Sequence, residues 1–488
     1  MGRTKLGLKR VEFKNFSKGY FPNLDLDDVP DGGSNNCSHV IWNRSKLRKM
    51  FGMDLHSTSQ VSELHGLGLH YLDTNTLKYR LAVFGTKLYY DASGTWTNIT
   101  GTITLTDGAL CQFIDHQIGA NEFVIGVNGT DAPFKWIGTG NASVLLGSPP
   151  NFTSIAKFNG TYFGSVGQYV YFSDLEDPET WDLSKWVITM SKDVVRVIDN
   201  KGSLAVLKSD SIGSIEGYTY LDFSKTETTI NSFGCVGKMA ACNAKFGETE
   251  TDVIAVLAYD GLHIVDASYN DNHVFGKDWM PEFSTTNLSK SVLTYDKTEK
   301  LLYCAIPYGT ETENDYLVVV DMFSGAFWPM PKIHTNYIKA IASCKDDSLN
   351  EYVYFIDNAG FSFKFNRNIK NYHSGVETEA IPSFWNSHKY DFQDIIEIRE
   401  AVALASSDSD SYFTFGLSFG ANLSTTIYGS VYTEIDADFL DISFDLDFST
   451  LSESTYFYNL IPETYGFGRY ISFFLNNEEI DQGFEIFK

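Results

Sequence analysis

Of the residues able to do chemistry, none falls at a spacing that assembles a reaction centre. The ten histidines are scattered. His65 and His70 stand five apart in an apolar stretch; as a metal pair they need two further ligands, none follows locally, and both are expected to be structural. Asp25, Asp27, Asp28 and Asp31 offer oxygen ligands of the kind calcium takes, but the EF-hand order and its terminal Glu are missing, so a solvated acidic loop is expected. The string Gly234-Cys235-Val236-Gly237-Lys238 has the wrong spacing to cradle a phosphate. No His-Glu-x-x-His occurs. Cys37, Cys111, Cys235, Cys242, Cys304 and Cys344 are widely and irregularly spaced without a Cys-x-x-Cys, which argues against zinc and against a disulfide framework. Those among apolar neighbours, such as Cys304 in LLYCAIP, read as buried thiols. No catalytic residue, metal ligand or cofactor is expected, and the chain is not read as an enzyme.

The elements that would position such residues form a repeating scaffold. Short runs of Val, Ile, Leu, Tyr and Phe end in Gly-rich or Asp-Gly turns and begin again, as in LAVFGTKLYY (81–90) and VIAVLAYDGLHIV (253–265). Strands this short need neighbours, so they must stack into a repetitive sheet architecture. Trp96, Trp136 and Trp181 are 40 and 45 residues apart, the length of one four-stranded propeller blade. The predicted fold is all-β: an irregular β-propeller of six to eight blades over 61–385. An extended N-terminal arm (1–60) precedes it and a C-terminal β-sandwich-like domain (386–488) follows. In that last domain, alternation such as DADFLDISFDLDFS (436–449) describes strands with one wet face. Pro178 after Asp177 predicts a turn or two of helix within 178–190.

Charge adds a constraint. The net charge of −25 repels DNA phosphates from any broad surface, while suiting either solubility or the wall of a passage through which DNA slides. Residues 1–53 hold ten Lys or Arg against five Asp or Glu, and residues 391–488 hold three against eighteen. The basic cluster Arg44, Lys46, Arg48 and Lys49 is the candidate assembly contact, placed to dock on an acidic neighbour; a solvated basic loop is the alternative. No signal peptide and no membrane-spanning run is read. The Asn-x-Ser/Thr triplets at Asn98, Asn128, Asn151 and Asn159 read as turn residues.

Two resemblances bear on function. The turn Asp91-Ala-Ser-Gly-Thr-Trp96 is similar to the Asp-box turn of sialidases, but Gly94 comes three residues after the Asp, the preceding Ser is absent, and that box is itself structural. More extensively, ordered phrases resemble the tail hub and nozzle proteins of short-tailed bacteriophages, the group of tail tubular protein B and the packaged-DNA stabilisation proteins. They are Phe16…Gly19…Asp31-Gly32…Asn36 with Leu47-Arg-Lys-Met-Phe-Gly52 (Lys49 standing for the group's Arg); Val170…Ser173…Asp177-Pro178…Trp181; Leu204…Gly217; Gly234-Cys235…Asp260-Gly261-Leu262; and Gly466-Phe-Gly-Arg469…Asn476…Gly483-Phe484. The resemblance implies a propeller core with appended β domains and a homo-hexameric ring below portal and adaptor. It further implies contacts with tail fibres or further tail proteins, a lumen for genomic DNA, a place in the virion tail after assembly in the host cytoplasm, and no catalysis. The alternative is a propeller that binds a receptor or cleaves surface glycans.

Overall fold

The computed structural model describes residues 16–25, 28–43, 46–57, 61, 65–91, 93–227, 231–276, 278–332, 337–367, 371–373, 378–386, 390–397, 401–406, 411–420, 426–433, 455–460, 467–477 and 485–486. They form two compact units: residues 51–381, and residues 1–50 with 382–488.

The first unit is a seven-bladed β-propeller. Six antiparallel sheets follow in sequence at 66–98, 112–144, 154–189, 194–226, 241–275 and 292–331, which are blades 1 to 6. Blade 7 takes three strands from 338–366 and its fourth from far upstream, Gly52–Leu55, which pairs antiparallel with Ser362–Asn366. The inner strands are Gly66–Asp73, Gln112–Ile118, Ser154–Phe158, Val194–Asp199, Ala241–Phe246, Val292–Asp296 and Ile338–Lys345. Each lies against the inner strand of the next blade, and the seventh lies against the first, so the ring is closed.

Burial explains which runs were apolar throughout. A middle strand is covered on both faces by neighbouring blades, so it has no wet side and needs no alternation. Leu301–Ile306 and Tyr316–Asp321 of blade 6 are accordingly buried at every position. The core is a set of interblade layers. Leu81, Val83, Phe113 and Trp136 fill the seam between blades 1 and 2, and Phe163, Val197 and Val206 that between 3 and 4. Polar groups tie the inner ends of the seams. Gln112 bonds both backbone groups of Ile155, Ser154 Oγ accepts from Val197 N–H, and Thr294 Oγ1 accepts from Ser343 N–H.

Many acids serve the turns. Asp266 and Asp357 end strands and Asp346 directly follows one, and each accepts backbone N–H groups two and four residues ahead. The third residue after each is left-handed: Tyr269 (φ 64°), Leu349 (φ 64°) and Gly360 (φ 86°). A carboxylate is a strong acceptor for the donors a tight turn strands, so part of the acidic excess is hairpin chemistry. Leu349 is exposed, whereas Tyr269 is buried with its hydroxyl 2.6 Å from Ser203 Oγ. Leu349→Gly is therefore expected to stabilise by about 0.5 kcal/mol, as relief of the left-handed strain exceeds the added chain entropy. Tyr269→Gly should destabilise by about 3 kcal/mol, since a buried aromatic is lost. Urea midpoints of the two variants check both signs.

The helix expected within 178–190 is not formed. Asp177 accepts from Glu179 N–H and Thr180 Oγ1, and Asp182 from Ser184, so side chains satisfy the donors that a helix would have used. A strand, Val187–Thr189, follows. Among the described residues helix is confined to two short 3₁₀ turns, Met280–Glu282 and Leu288–Lys290. Of the Asn-x-Ser/Thr residues, Asn159 sits in a turn, Asn128 and Asn151 lie in loops and Asn98 ends the strand Trp96–Asn98; Asn98 and Asn128 accept neighbouring backbone N–H groups, and Asn151 and Asn159 donate to carbonyls.

In the second unit two antiparallel sheets draw on both ends of the chain. One runs Cys37–Ser38, Ser383–Asn386, Phe467–Asn477, Ser411–Gly420, Thr426–Thr433; the other runs Val40–Asn43, Lys46–Lys49, Glu485–Ile486, Ala401–Ser406, Thr455–Leu460. The residues expected as a separate arm over 1–60 thus supply strands to the C-terminal sheets up to Lys49 and the closing propeller strand beyond it. The alternating stretch 436–449 lies outside the described residues.

Candidate functional site

Of the predicted contact set, Lys46, Arg48 and Lys49 belong to one strand. Lys46–Lys49 is a strand between Val40–Asn43 and Glu485–Ile486. Lys49 is fully buried and Arg48 half-buried, so the docking role is corrected for Lys49, whose side chain the sheet encloses. Arg44 and the side chain of Lys46 lie outside the described residues.

The titratable clusters of the propeller are braces. His263 has Nδ1 3.0 Å from Asp271 and Nε2 3.1 Å from Asp260, with its ring stacked 3.6 Å over Phe233. Both nitrogens are thus engaged, whereas a general base needs one turned to substrate. His70 bonds Asp115 at 2.6 Å across the seam between blades 1 and 2 and stacks on Phe113, in keeping with the structural role expected for it. The Asp91 turn also proves to be a brace. Its carboxylate accepts from Gly94 N–H, from His56 Nε2 at 2.6 Å and from Arg80 Nε, while Arg80 also reaches Asp347 and Lys345 O in blade 7. This buried cross-link closes the last seam of the ring, and sequence reasoning missed it because its members lie up to 267 residues apart. The six cysteines are free, and burial pushes every thiol up, so all are neutral at pH 7. Among the described residues no three His, Cys, Asp or Glu side chains are grouped to hold a metal, and no helix is long and apolar enough to cross a membrane.

His116, on the inner strand of blade 2, is a buried histidine. Its ring stacks 4.3 Å from Phe123 and shares a hydrogen bond with Tyr162 Oη at 2.8 Å. Burial, then the Lys157 charge, push its pKa down to about 4, while Asp177 and Glu179 oppose the shift. The unfolded chain takes up this proton near pH 6.5 and the folded chain only near 4, so stability falls as the pH drops through that window. Allowing for solvent screening, His116→Phe is expected to remove on the order of 1 kcal/mol of the stability loss between pH 7 and 5. Urea midpoints at the two pH values measure it, and an unchanged pH slope refutes it.

The feature that remains unaccounted for by folding is apolar and exposed. On neighbouring blades 3 and 4, the loops between third and fourth strands carry Leu175 (54% exposed), Tyr218 (72%), Tyr220 (57%) and Leu221 (80%). These loops are well fixed. In the first, Ser173 accepts from Tyr162 N–H, Trp181 Nε1 donates to Pro178 O, and the Trp181 ring packs 4.9 Å from Phe152. In the second, Asp222 accepts from the backbone of Tyr218 and Thr219. Asn159 joins the two by donating to Gly217 O, while Glu176 N–H donates to Gly160 O of the same turn. An apolar patch held on rigid loops suits a protein interface.

The chain is thus a seven-bladed β-propeller with a two-sheet β unit built from both chain ends. No family model matches it, and no curated protein matches it. Among solved structures it is similar to a computationally designed protein, Ika8, at 12% identity and TM-score 0.38, covering 64% of this chain and all of that one. A streptogramin B lyase gives 10% identity and 0.42, covering 66% and 98%; a chain of the mitotic checkpoint complex gives 10% and 0.39, covering 75% and 98%. At these values the likenesses carry no inference about activity or partners.

Proposed function

We propose that the protein is a structural subunit of a bacteriophage tail hub or nozzle, assembling head-to-tail into a hexameric ring whose lumen retains and conducts the DNA genome. The observation that carries this reading is the apolar patch of blades 3 and 4. Of the five phrases that resemble phage tail proteins, Val170…Trp181 contains Leu175 of the first loop and Leu204…Gly217 leads into the second. The occupant is a second copy of the chain, because a heterologous contact repeated about one axis closes a ring. The net charge of −25 fits the lumen, since a wall that repels phosphates lets a duplex slide. In this reading the portal-adaptor assembly and tail fibres are the further partners, the virion tail is the location, and the scaffold does no catalysis.

Mass photometry and negative-stain imaging of the purified chain test it. Six-fold rings with a hole of duplex width are expected, and Tyr218→Asp with Leu221→Asp should weaken assembly at least about tenfold. A monomer, or rings indifferent to both changes, refutes the reading. A monomer that turns over a sugar polymer would establish the glycan-cleaving alternative instead.

A further inference from the structure

A heterologous contact joins two different surfaces, and the apolar patch of blades 3 and 4 supplies only one of them. Its geometry specifies the other. The first loop, 173–186, and the second, 217–223, touch: the Trp186 and Tyr220 rings stand 6.0 Å apart, and Phe223 packs edge-on against Phe172 at 5.2 Å. The turn Asn159-Gly160 is clasped between them. Its Gly160 O accepts from Glu176 N–H at 2.9 Å, and its Asn159 Nδ2 donates to Gly217 O at 2.9 Å. Both turn residues are left-handed (φ 47° and 82°), so the reversal is tight. Glu176, beside Leu175, and Glu216, two residues before Tyr218, are thereby held on either side of one turn.

The patch is acidic as well as apolar. Its two loops hold six Asp or Glu against Lys185 alone, and Lys135 of blade 2 pairs only Glu179. Glu176 and Glu216 are exposed and stand in no ion pair among the described residues. A complementary surface must therefore bring apolar groups together with positive charge.

Residues 1–15 have both. They hold five Lys or Arg against one Glu in a chain of net charge −25, with Leu6, Leu8, Val11 and Phe13 interleaved among the cations. They lie outside the described residues, but Phe16, which follows them, is buried against Trp42 and Trp385. From that anchor fifteen residues span at most about 50 Å, enough to reach a neighbouring copy.

We propose that residues 1–15 of one copy dock on the patch of the next, an inference that rests on the ring reading above. Leu6, Leu8, Val11 and Phe13 cover its exposed leucines and tyrosines, and Lys5, Lys9 and Lys14 meet Glu176 and Glu216.

Zero-length cross-linking with a carbodiimide tests the contact, on rings assembled from an equal mixture of unlabelled and isotope-labelled full chain. Amide links are expected between Lys5, Lys9 or Lys14 and Glu176 or Glu216, in pairs of mixed label. K5E with K9E and K14E should weaken assembly at least about tenfold, since like charges then face each other, and adding E176K with E216K to the same chain should restore it. Rings that lack these links, or links confined to pairs of one label, overturn the proposal and leave the ring reading in place. Rings indifferent to the triple change do the same. A chain that forms no rings fails the ring reading itself, and this proposal with it.

Discussion

Replacing Met53 with Asp is expected to open the propeller, at a cost of more than about 3 kcal/mol. Met53 is fully buried in the four-residue strand Gly52–Leu55 and pairs with Phe365. That strand completes blade 7, so a carboxylate there both empties a core position and buries an unpaired charge. The neighbouring Leu55 is only half-buried, and Leu55→Gln should cost less than about 1 kcal/mol. Urea unfolding measures both, and limited proteolysis just after residue 57 reports whether the ring has parted. A wild-type midpoint for Met53→Asp would mean that the strand does not close the ring.

The second large effect is expected at the buried brace on the same seam. Asp91→Ala should cost about 3–5 kcal/mol, because it strands the Arg80 guanidinium and removes the acceptor of His56. Arg80 retains Asp347, which is largely exposed and a weaker partner. The double variant Arg80→Met with Asp91→Ala should recover part of the loss, since it removes the stranded charge as well. A double variant no more stable than Asp91→Ala would show that the cost is in the Asp91 turn alone. The brace also has an acid limit. Burial alone would raise the Asp91 carboxyl, but the hydrogen bond from His56 and the Arg80 charge outweigh it and hold it below its ordinary value. A carboxyl so depressed contributes fully above its unfolded value, and that contribution is lost as pH falls through the folded one.

The blades were legible because their periodicity is local. Middle strands such as VIAVLAYDGLHIV announce burial on both faces, and Trp96, Trp136 and Trp181 mark the blade length. The number of blades was not fixed beyond six to eight, because loops such as that between Phe172 and Val187 blur the repeat. The closing strand was hidden in the supposed arm. Gly-Met-Asp-Leu has no period of its own, and only its partner at 362–366 makes it a strand. Lys49 read as solvent-facing from its type, yet the sheet takes it in. The reach of the Arg80–Asp91–His56 brace to Asp347 and Lys345 was invisible because ring closure sets side by side residues that no window of sequence contains.

The far-upstream origin of the closing strand has a consequence during synthesis. Residues 52–55 leave the ribosome about 300 residues ahead of 362–366. At 5–20 residues per second the early segment waits roughly 15–60 s for its mate. Throughout that interval the nascent chain exposes the apolar face of blade 1 that later packs on blade 7, with Ala82, Phe84 and Tyr89, and a strand segment without its mate. Productive maturation of this chain therefore depends on sequestering its early residues, by chaperone or by neighbouring copies, until translation has supplied the seventh blade.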